Sequence, residues 1–371
     1  MSDYIFKNVR LKTHVGKTGK PILAVIGFLG RGNAGDEAIF QAIYETFCDE
    51  FDILAVVEEW GAYKGWWDWY PYNRIERIHQ GNIHYFEKRI AGLIVGGGGL
   101  GIGFGGSQLL VSKIVGTPSA FAGTDHTHWL DNPDRNRSKA SALYLSLFDY
   151  VSLRSAKGVF CAQQDGVVNV QYGTDWALRL KSSPLERKQP IALVTVREFP
   201  LNMLDPERHF SSIRTLLASI KKSGLQPVLL PISPEDERFA REFLGMLPYP
   251  IVALWHDIPA LLQKIASSAL MLSIGRLHSV IFPLLTRTPV AHVMPIFNDP
   301  VVQATELRKI YYICEDFALP FLDMDEAVKA VENQEIIFTD ETVRMVAQAQ
   351  TRLERCIDDL RRLFRRQPTE E

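Results

Sequence analysis

The stretch Ala269-Leu-Met-Leu-Ser-Ile-Gly-Arg-Leu-His278-Ser-Val-Ile-Phe-Pro-Leu-Leu-Thr-Arg-Thr-Pro-Val290 decides the fold of this chain. It opens on a short apolar run, residues 269–272, that reads as a buried strand. Ser273 and Gly275 then interrupt the run, as a tight turn requires. From Arg276 onward, Val280, Ile281, Leu284 and Leu285 recur at helical spacing. Thr288-Pro289 stops that helix, and residues 290–293 read as the next strand. Arg276 and His278 are therefore expected in the first turn of a helix, just beyond the end of a parallel strand.

A helix N-terminus carries partial positive charge and favours acids, so an arginine and a histidine there are mildly unfavourable unless an anion completes the site. Free N–H groups, one guanidinium and one imidazole together suit a phosphate or a carboxylate. The other reading has Arg276 in solvent and His278 as a hydrogen-bonded core residue. Gly275 beside them tips the reading to the anion site.

The same alternation extends on both sides. Residues 191–196, 226–231 and 251–254 read as strands, and residues 209–223, 234–246 and 258–267 as helices. The first of these strands ends at Arg197. Upstream, residues 181–190 carry the Ser, Pro, Glu, Arg and Lys of a linker. Before it, residues 22–26, 51–57, 91–95, 149–153 and 167–170 read as a further set of strands. Two doubly wound parallel α/β sheets facing a cleft follow, an α/β fold of two Rossmann-like domains. The expected division is 1–180, 181–335, and a long amphipathic C-terminal helix in 336–371 that reaches back across the domains.

Two glycine-rich loops follow strands of the first half. The loop holding Gly32, Asn33 and Gly35 runs into Asp36 and Glu37, acids in the first helical turn. They offset the helix dipole, so the loop suits hydroxyl groups such as those of a sugar better than phosphate; packing alone is the other reading. No Walker A lysine follows. The second loop, with Gly97 and Gly98, yields G-x-G-x-x-G in several registers, and no acid follows at the dinucleotide distance. It is read as the floor of a cleft. Between them lie Trp60, Tyr63, Trp66, Trp67, Trp69, Tyr70 and Tyr72. Such rings stack on sugar faces, or form a dimer contact or a small capping core. Residues 117–137 read as a polar surface loop, and Asp125, His126 and His128 lack a further ligand in view for a metal site.

Composition bounds the function. The chain has 371 residues, 46% apolar and 23% charged, as in a globular protein large enough for two cores. A formal net charge of −2 argues against nucleic acid as a partner. Four scattered cysteines fit neither a zinc site nor a disulfide framework, and suit a reducing compartment. No signal peptide and no apolar run of membrane-spanning length is present. A cytoplasmic location is expected, at the inner membrane face if the substrate is lipid-linked. The late basic run of Arg361, Arg362, Arg365 and Arg366 is read as a solvated helix face, with an anionic membrane surface as the alternative.

The ordered pieces Gly32-Asn-Ala-Gly-Asp-Glu-Ala-Ile39, Gly96-Gly-Gly-Gly-Leu100, Val151-Ser-Leu-Arg154, Thr174-Asp-Trp-Ala-Leu178, Val194-Thr-Val-Arg197 and Gly275-Arg-Leu-His-Ser279 with Thr288-Pro-Val290 resemble the polysaccharide pyruvyl transferase family. The resemblance implies a GT-B-like pair of Rossmann-type domains. It implies transfer of a pyruvyl group from phosphoenolpyruvate, as donor substrate, to two hydroxyls of a sugar or lipid-linked glycan, forming a ketal with no metal and no cofactor. It also puts Arg276 and His278 in the catalytic motif, with Gly275, Leu277, Ser279, Arg154 and Arg197 around the donor. Gly32, Asn33, Gly35, Asp36, Gly97, Gly98, Trp66 and Trp67 remain for the acceptor. A homo-oligomer is compatible with all of this. The alternatives are a nucleotide-sugar glycosyltransferase of the same architecture and a non-catalytic subunit of a polysaccharide assembly complex.

Overall fold

The computed structural model describes residues 18–58, 62–79, 90–97, 104–125, 135–182, 188–245 and 247–365, with only the backbone for 135–138. The first half runs β1 (Ile22–Ile26), α1 (Ala34–Phe47), β2 (Asp52–Val57), β3 (Glu76–His79), β4 (Ile90–Val95), α2 (Gly106–Ile114), β5 (Ser119–Thr124), α3 (Arg135–Ser146), β6 (Tyr150–Leu153), α4 (Ala156–Gln164) and β7 (Val170–Tyr172). Its seven strands pair in the order β3-β2-β1-β4-β5-β6-β7, parallel throughout. Because both faces of a parallel sheet are covered, the central strands read as unbroken apolar runs. Along β1, Leu23 and Val25 enter one core while Ile22, Ala24 and Ile26 enter the other.

The second half runs β8 (Gln189–Val196), α5 (Pro206–Lys222), β9 (Gln226–Leu229), α6 (Pro234–Phe239), α7 (Ile258–Ala266), β10 (Ser268–Ile274), α8 (His278–Thr286), β11 (Val290–Val293), α9 (Pro300–Asp316), β12 (Phe321–Leu322) and α10 (Met324–Glu332), followed by α11 (Asp340–Phe364). Its five strands, also parallel, pair as β12-β11-β10-β8-β9. The deciding stretch supplies β10, the middle strand, whose Leu272 pairs with Val194 on one side and Ala291 on the other. Both sheets reverse their strand order once, between β1 and β4 and between β8 and β10. Ligands of open α/β sheets bind beyond the strand ends at such reversals.

Several expectations need correction. The polar reading of 117–137 conceals β5, whose six residues are all buried in the middle of the sheet. Its Ser119, Gly123 and Thr124 mask the apolar signal, and Gly123 is small because a Cβ there would stand 1.7 Å from the Trp176 ring. His126 and His128 lie outside the described residues, as does Trp60. Residues 251–254 form one bridge, Ile251 to Leu229, rather than a strand. The strand read at 167–170 begins only at Val170. The helix read at 234–246 stops at Phe239 and continues as one wider turn, Ala240–Leu244. Gln189 and Pro190, read as linker, already belong to β8.

The halves touch through backbone as well as side chains. Asn33 caps α1 by accepting from the Gly35 N–H at 3.1 Å, and the next free donor, the Ala34 N–H, bonds the Ile232 carbonyl of the second half at 2.9 Å. The helix α11 packs on the first half. Phe364 fills the space that a Cβ on Gly92 would enter, and Arg352 donates to the Gly173 carbonyl at 3.1 Å. In the basic run, Arg361 and Arg365 both bind Glu50 and Arg362 binds Asp359, so these arginines are paired with carboxylates of the same chain.

Candidate active site

Where the two strand-order reversals face each other lies a cavity of about 170 Å³. The first half contributes Phe28 and Asn33 from the loop after β1, Asp36 from the first turn of α1, and Arg154 from the end of β6. The second half contributes Arg197 after β8, Ile232 after β9, Gly275, Arg276 and Leu277 after β10, His278 at the start of α8, and Lys309 from α9.

Gly275 makes the turn possible. Its φ is +83°, and a Cβ would also stand 2.5 Å from the Phe199 ring. Arg276 lies in this turn, before the helix begins, rather than in its first turn as read from sequence. Ser273 and Ser279 both donate to the Arg276 carbonyl, at 2.7 and 2.8 Å, which fixes the turn from beneath. The Arg276 side chain is held by Asp236, Nε to Oδ2 at 2.8 Å and Nη2 to Oδ1 at 2.6 Å, with Ser233 Oγ accepting at 2.9 Å. Burial works against the guanidinium's charge, but Asp236 outweighs it and raises the pKa.

His278 belongs to the second half and is held by the first. Its ring lies on Gly35, where a Cβ would come within 1.8 Å of Nδ1. Its Nε2 is 3.2 Å from Asp175 Oδ2. That contact is close enough for charge attraction but is not aligned as a hydrogen bond, so Nε2 has no such partner. Asp175 accepts from the Ala177 N–H at 2.9 Å and from Arg154 Nη1 at 3.0 Å. Arg154 Nε in turn donates to Asp125 Oδ2 at 2.9 Å, and Asp125 also takes the Ser155 N–H and hydroxyl. A buried chain Asp125–Arg154–Asp175–His278 results. Burial raises the Asp175 pKa, yet His278 and Arg154 prevail and hold it below the usual carboxylate range.

The remaining charges are less well matched. Arg197 donates to Glu306 at 3.1 Å and lies 4.4 Å over the Phe199 ring. Burial, then the Arg276 charge, lowers its pKa. Lys309 has no hydrogen bond or ion pair with a described residue, and burial together with Arg197 and Arg154 lowers its pKa to about 8. Asp36 Oδ1 is buried and unpartnered. Burial raises the Asp36 pKa against the pull of His278, Arg154, Lys309 and Arg276. Four cations and a histidine thus share one small space with a single unengaged carboxylate.

Of the residues expected from sequence, Arg276, His278, Arg154, Arg197, Gly275, Leu277, Asn33 and Asp36 come together here. Ser279 does not reach the cavity; it braces the turn. Gly32 packs under Pro234 and Trp255 of the second half, and Gly35 under His278, so both serve close approach of the halves. Gly97 lies against Ile39, and Gly98 is outside the described residues. Trp66 is buried edge-on against Tyr72 at 4.9 Å, whereas Trp67 is exposed. Neither tryptophan lines the cavity. Sequence reasoning missed Lys309, Asp175 and Asp236. Asp175 sits inside a quoted motif, but Lys309 carries no local signal in its helix. Among the described residues no three His, Cys, Asp or Glu side chains are placed to hold a metal, and no helix is long and apolar enough to cross a membrane.

Comparison with solved structures gives the architecture its counterparts. The S. aureus MnaA–UDP structure aligns with a TM-score of 0.57 at 14% identity, covering 95% of this chain and 100% of that one. Anabaena HepE in complex with UDP and glucose gives 0.58 at 11% identity, covering 92% and 99%. The UDP-GlcNAc 2-epimerase of Methanocaldococcus jannaschii gives 0.52 at 11%, covering 89% and 99%. At such identities the likeness establishes the GT-B-like fold alone. No curated protein matches the sequence. The family model for polysaccharide pyruvyl transferase matches residues 33–295, which takes in Asn33 and α1, Arg154, Asp175, Arg197 and the Gly275–His278 turn; the chain belongs to the polysaccharide pyruvyl transferase family.

Proposed function

We propose that this protein moves a pyruvyl group from phosphoenolpyruvate to two hydroxyls of a sugar, free or lipid-linked, and releases phosphate. The observation that carries the proposal is the set of cations lining the cavity, of which Lys309 has no ion-pair partner among the described residues and Arg197 has only Glu306, so that both can meet an anion. Phosphoenolpyruvate brings a phosphate and a carboxylate, and each needs charge-assisted donors. The cavity of about 170 Å³ has room for a compact donor.

The reaction follows from these groups. His278, protonated, gives its proton to the methylene carbon of the donor, and positive character develops at the neighbouring carbon. A sugar hydroxyl attacks that carbon as its proton passes to Asp36, whose burial makes it a stronger base than an ordinary carboxylate. The carbon–oxygen bond to phosphate then breaks, with Arg197 and Lys309 balancing the departing charge. The second hydroxyl closes the ketal; of the two hydroxyl protons one restores His278 and the other leaves on the phosphate, so that Asp36 is again free as a base. Two hydroxyl protons are lost and one carbon–hydrogen bond is gained, so the sum balances as ketal plus hydrogen phosphate. Asp175 positions His278, and Arg154, which lines the cavity, holds Asp175 in place.

The test is incubation with labelled phosphoenolpyruvate and a panel of free and lipid-linked glycans. Phosphate release coupled to label in an acid-labile ketal is expected. Thermal protection by a UDP-sugar with none by phosphoenolpyruvate, and no ketal with any glycan, would overturn the proposal in favour of a glycosyltransferase.

A further inference from the structure

We infer that the outer face of the helix layer α2, α3 and α4 docks on an anionic lipid bilayer. These helices cover one side of the first sheet: Leu109 of α2, Leu145 of α3 and Val159 of α4 share one core with the alternate residues of β1. They connect β4 to β5, β5 to β6 and β6 to β7, which are neighbours in the sheet, so the helices lie side by side.

Each of the three also presents large apolar side chains outward. On α2 these are Leu110 and Ile114, 63% and 75% exposed; on α3, Leu143 at 68%, with Leu147 just past its end at 47%. Both pairs have the i, i+4 spacing of a stripe along one helix face. Phe160 of α4 continues the surface. The helices on the opposite side of the same sheet behave otherwise: α1 and the 25-residue α11 expose no large apolar side chain. Of the two helix layers on this sheet, therefore, only this one carries outward apolar stripes.

Charge identifies the occupant. The sequences of α2, α3 and α4 contain five lysines and arginines and no aspartate or glutamate. In α11 the count is five basic and five acidic. Lys113 is paired with Asp149 at 2.6 Å, and Lys157 lies 5.3 Å over the Phe160 ring, a cation held beside an exposed aromatic side chain. Lys139 is exposed between the N-terminal arginines of α3 and Leu143. Aliphatic stripes flanked by Lys139 and Lys157, on helices that contain no acid, match the interfacial region of a membrane bearing anionic headgroups. The late arginines suspected from sequence are not this surface, since Glu50 and Asp359 engage three of them.

The inference is independent of the proposed chemistry, because its readout is binding. The full-length protein is floated with vesicles of phosphatidylcholine, with or without phosphatidylglycerol. Binding is expected to the mixed vesicles, to fall by about tenfold on the neutral ones, and to weaken as salt rises. Leu110→Glu with Leu143→Glu should reduce binding to the mixed vesicles by about tenfold while leaving the circular dichroism spectrum unchanged. Arg355→Glu, exposed on α11, should leave binding as it was. Should the double apolar variant not fold, Lys139→Glu with Lys157→Glu carries the test through charge alone. Equal binding by these variants and the parent protein, or no binding of the parent to the mixed vesicles, overturns the inference. So does a lipid-free dimer that the apolar variants dissociate, which would make a second copy the occupant.

Discussion

The two walls of the cavity differ in how they hold their cations: the first-half Arg154 is neutralised by buried carboxylates, whereas of the three second-half cations only Arg276, bound by Asp236, is held in that way. On the first-half wall Arg154 lies between two carboxylates, Asp125 and Asp175, with its side chain 1% exposed. On the second-half wall Arg197 has one carboxylate, Glu306, and is 24% exposed, while Lys309 has none. A cation neutralised from two sides serves the framework. A cation with no partner weakens the fold, and its charge becomes useful when an anion arrives. From Arg154 to Lys309, therefore, the cost of removal should move from stability to ligand affinity.

The largest expected effect tests the framework end. Arg154→Ala strands two buried carboxylates and should cost roughly 3–5 kcal/mol of stability in denaturant unfolding. Arg197→Ala removes a partly exposed pair and should cost about 1 kcal/mol. Equal losses in the two variants would break the comparison, because they would make Arg197 as structural as Arg154.

The next effect belongs to the seam between the walls. His278 has its backbone in one half and its contacts, Gly35 and Asp175, in the other. His278→Ala should lower pyruvyl transfer by roughly 10²- to 10⁴-fold, the usual worth of a positioned acid, while circular dichroism stays native. A variant that transfers pyruvate at the parental rate would remove His278 from the chemistry and leave it a packing residue.

What the sequence disclosed follows the same division between local and distant. Central parallel strands such as β1, β4 and β10 are legible because burial on both faces leaves continuous apolar runs. The strand β5 is equally central and was hidden, because Trp176 from far along the chain demands a glycine there and Asp149 satisfies Ser119. Arg276, His278 and Arg197 were legible because each follows directly on a strand end. The pairing of Arg154 with Asp125 and Asp175, and of Arg276 with Asp236, joins residues 21 to 40 positions apart and leaves no periodic trace. Gly35 was read as a place for sugar, and its purpose proved to be room for an imidazole from the other half.

Lys309 gives the smallest effect and the sharpest one. Burial and the neighbouring Arg197 and Arg154 bring its pKa from 10.5 to about 8. It is charged below that value, and an anionic donor is attracted to the charged form, so donor affinity should fall as pH rises through about 8. Lys309→Met should weaken phosphoenolpyruvate binding by roughly tenfold at neutral pH, the loss of one charge-assisted hydrogen bond, and should flatten the pH profile there. Lys309→Arg should restore affinity without restoring the inflection, since a guanidinium stays charged throughout. Stability should move the other way. The unfolded chain binds this proton more tightly than the folded one, so between pH 8 and 10.5 the parent gains stability as pH rises. Below pH 8 the charged lysine is a burden, and Lys309→Met should be more stable than the parent by on the order of 1 kcal/mol. Calorimetric titration of the donor and unfolding at two pH values check both signs. An inflection that persists in Lys309→Arg, or a methionine variant that loses stability, would show that the unpaired charge belongs to the framework and that the two walls are alike.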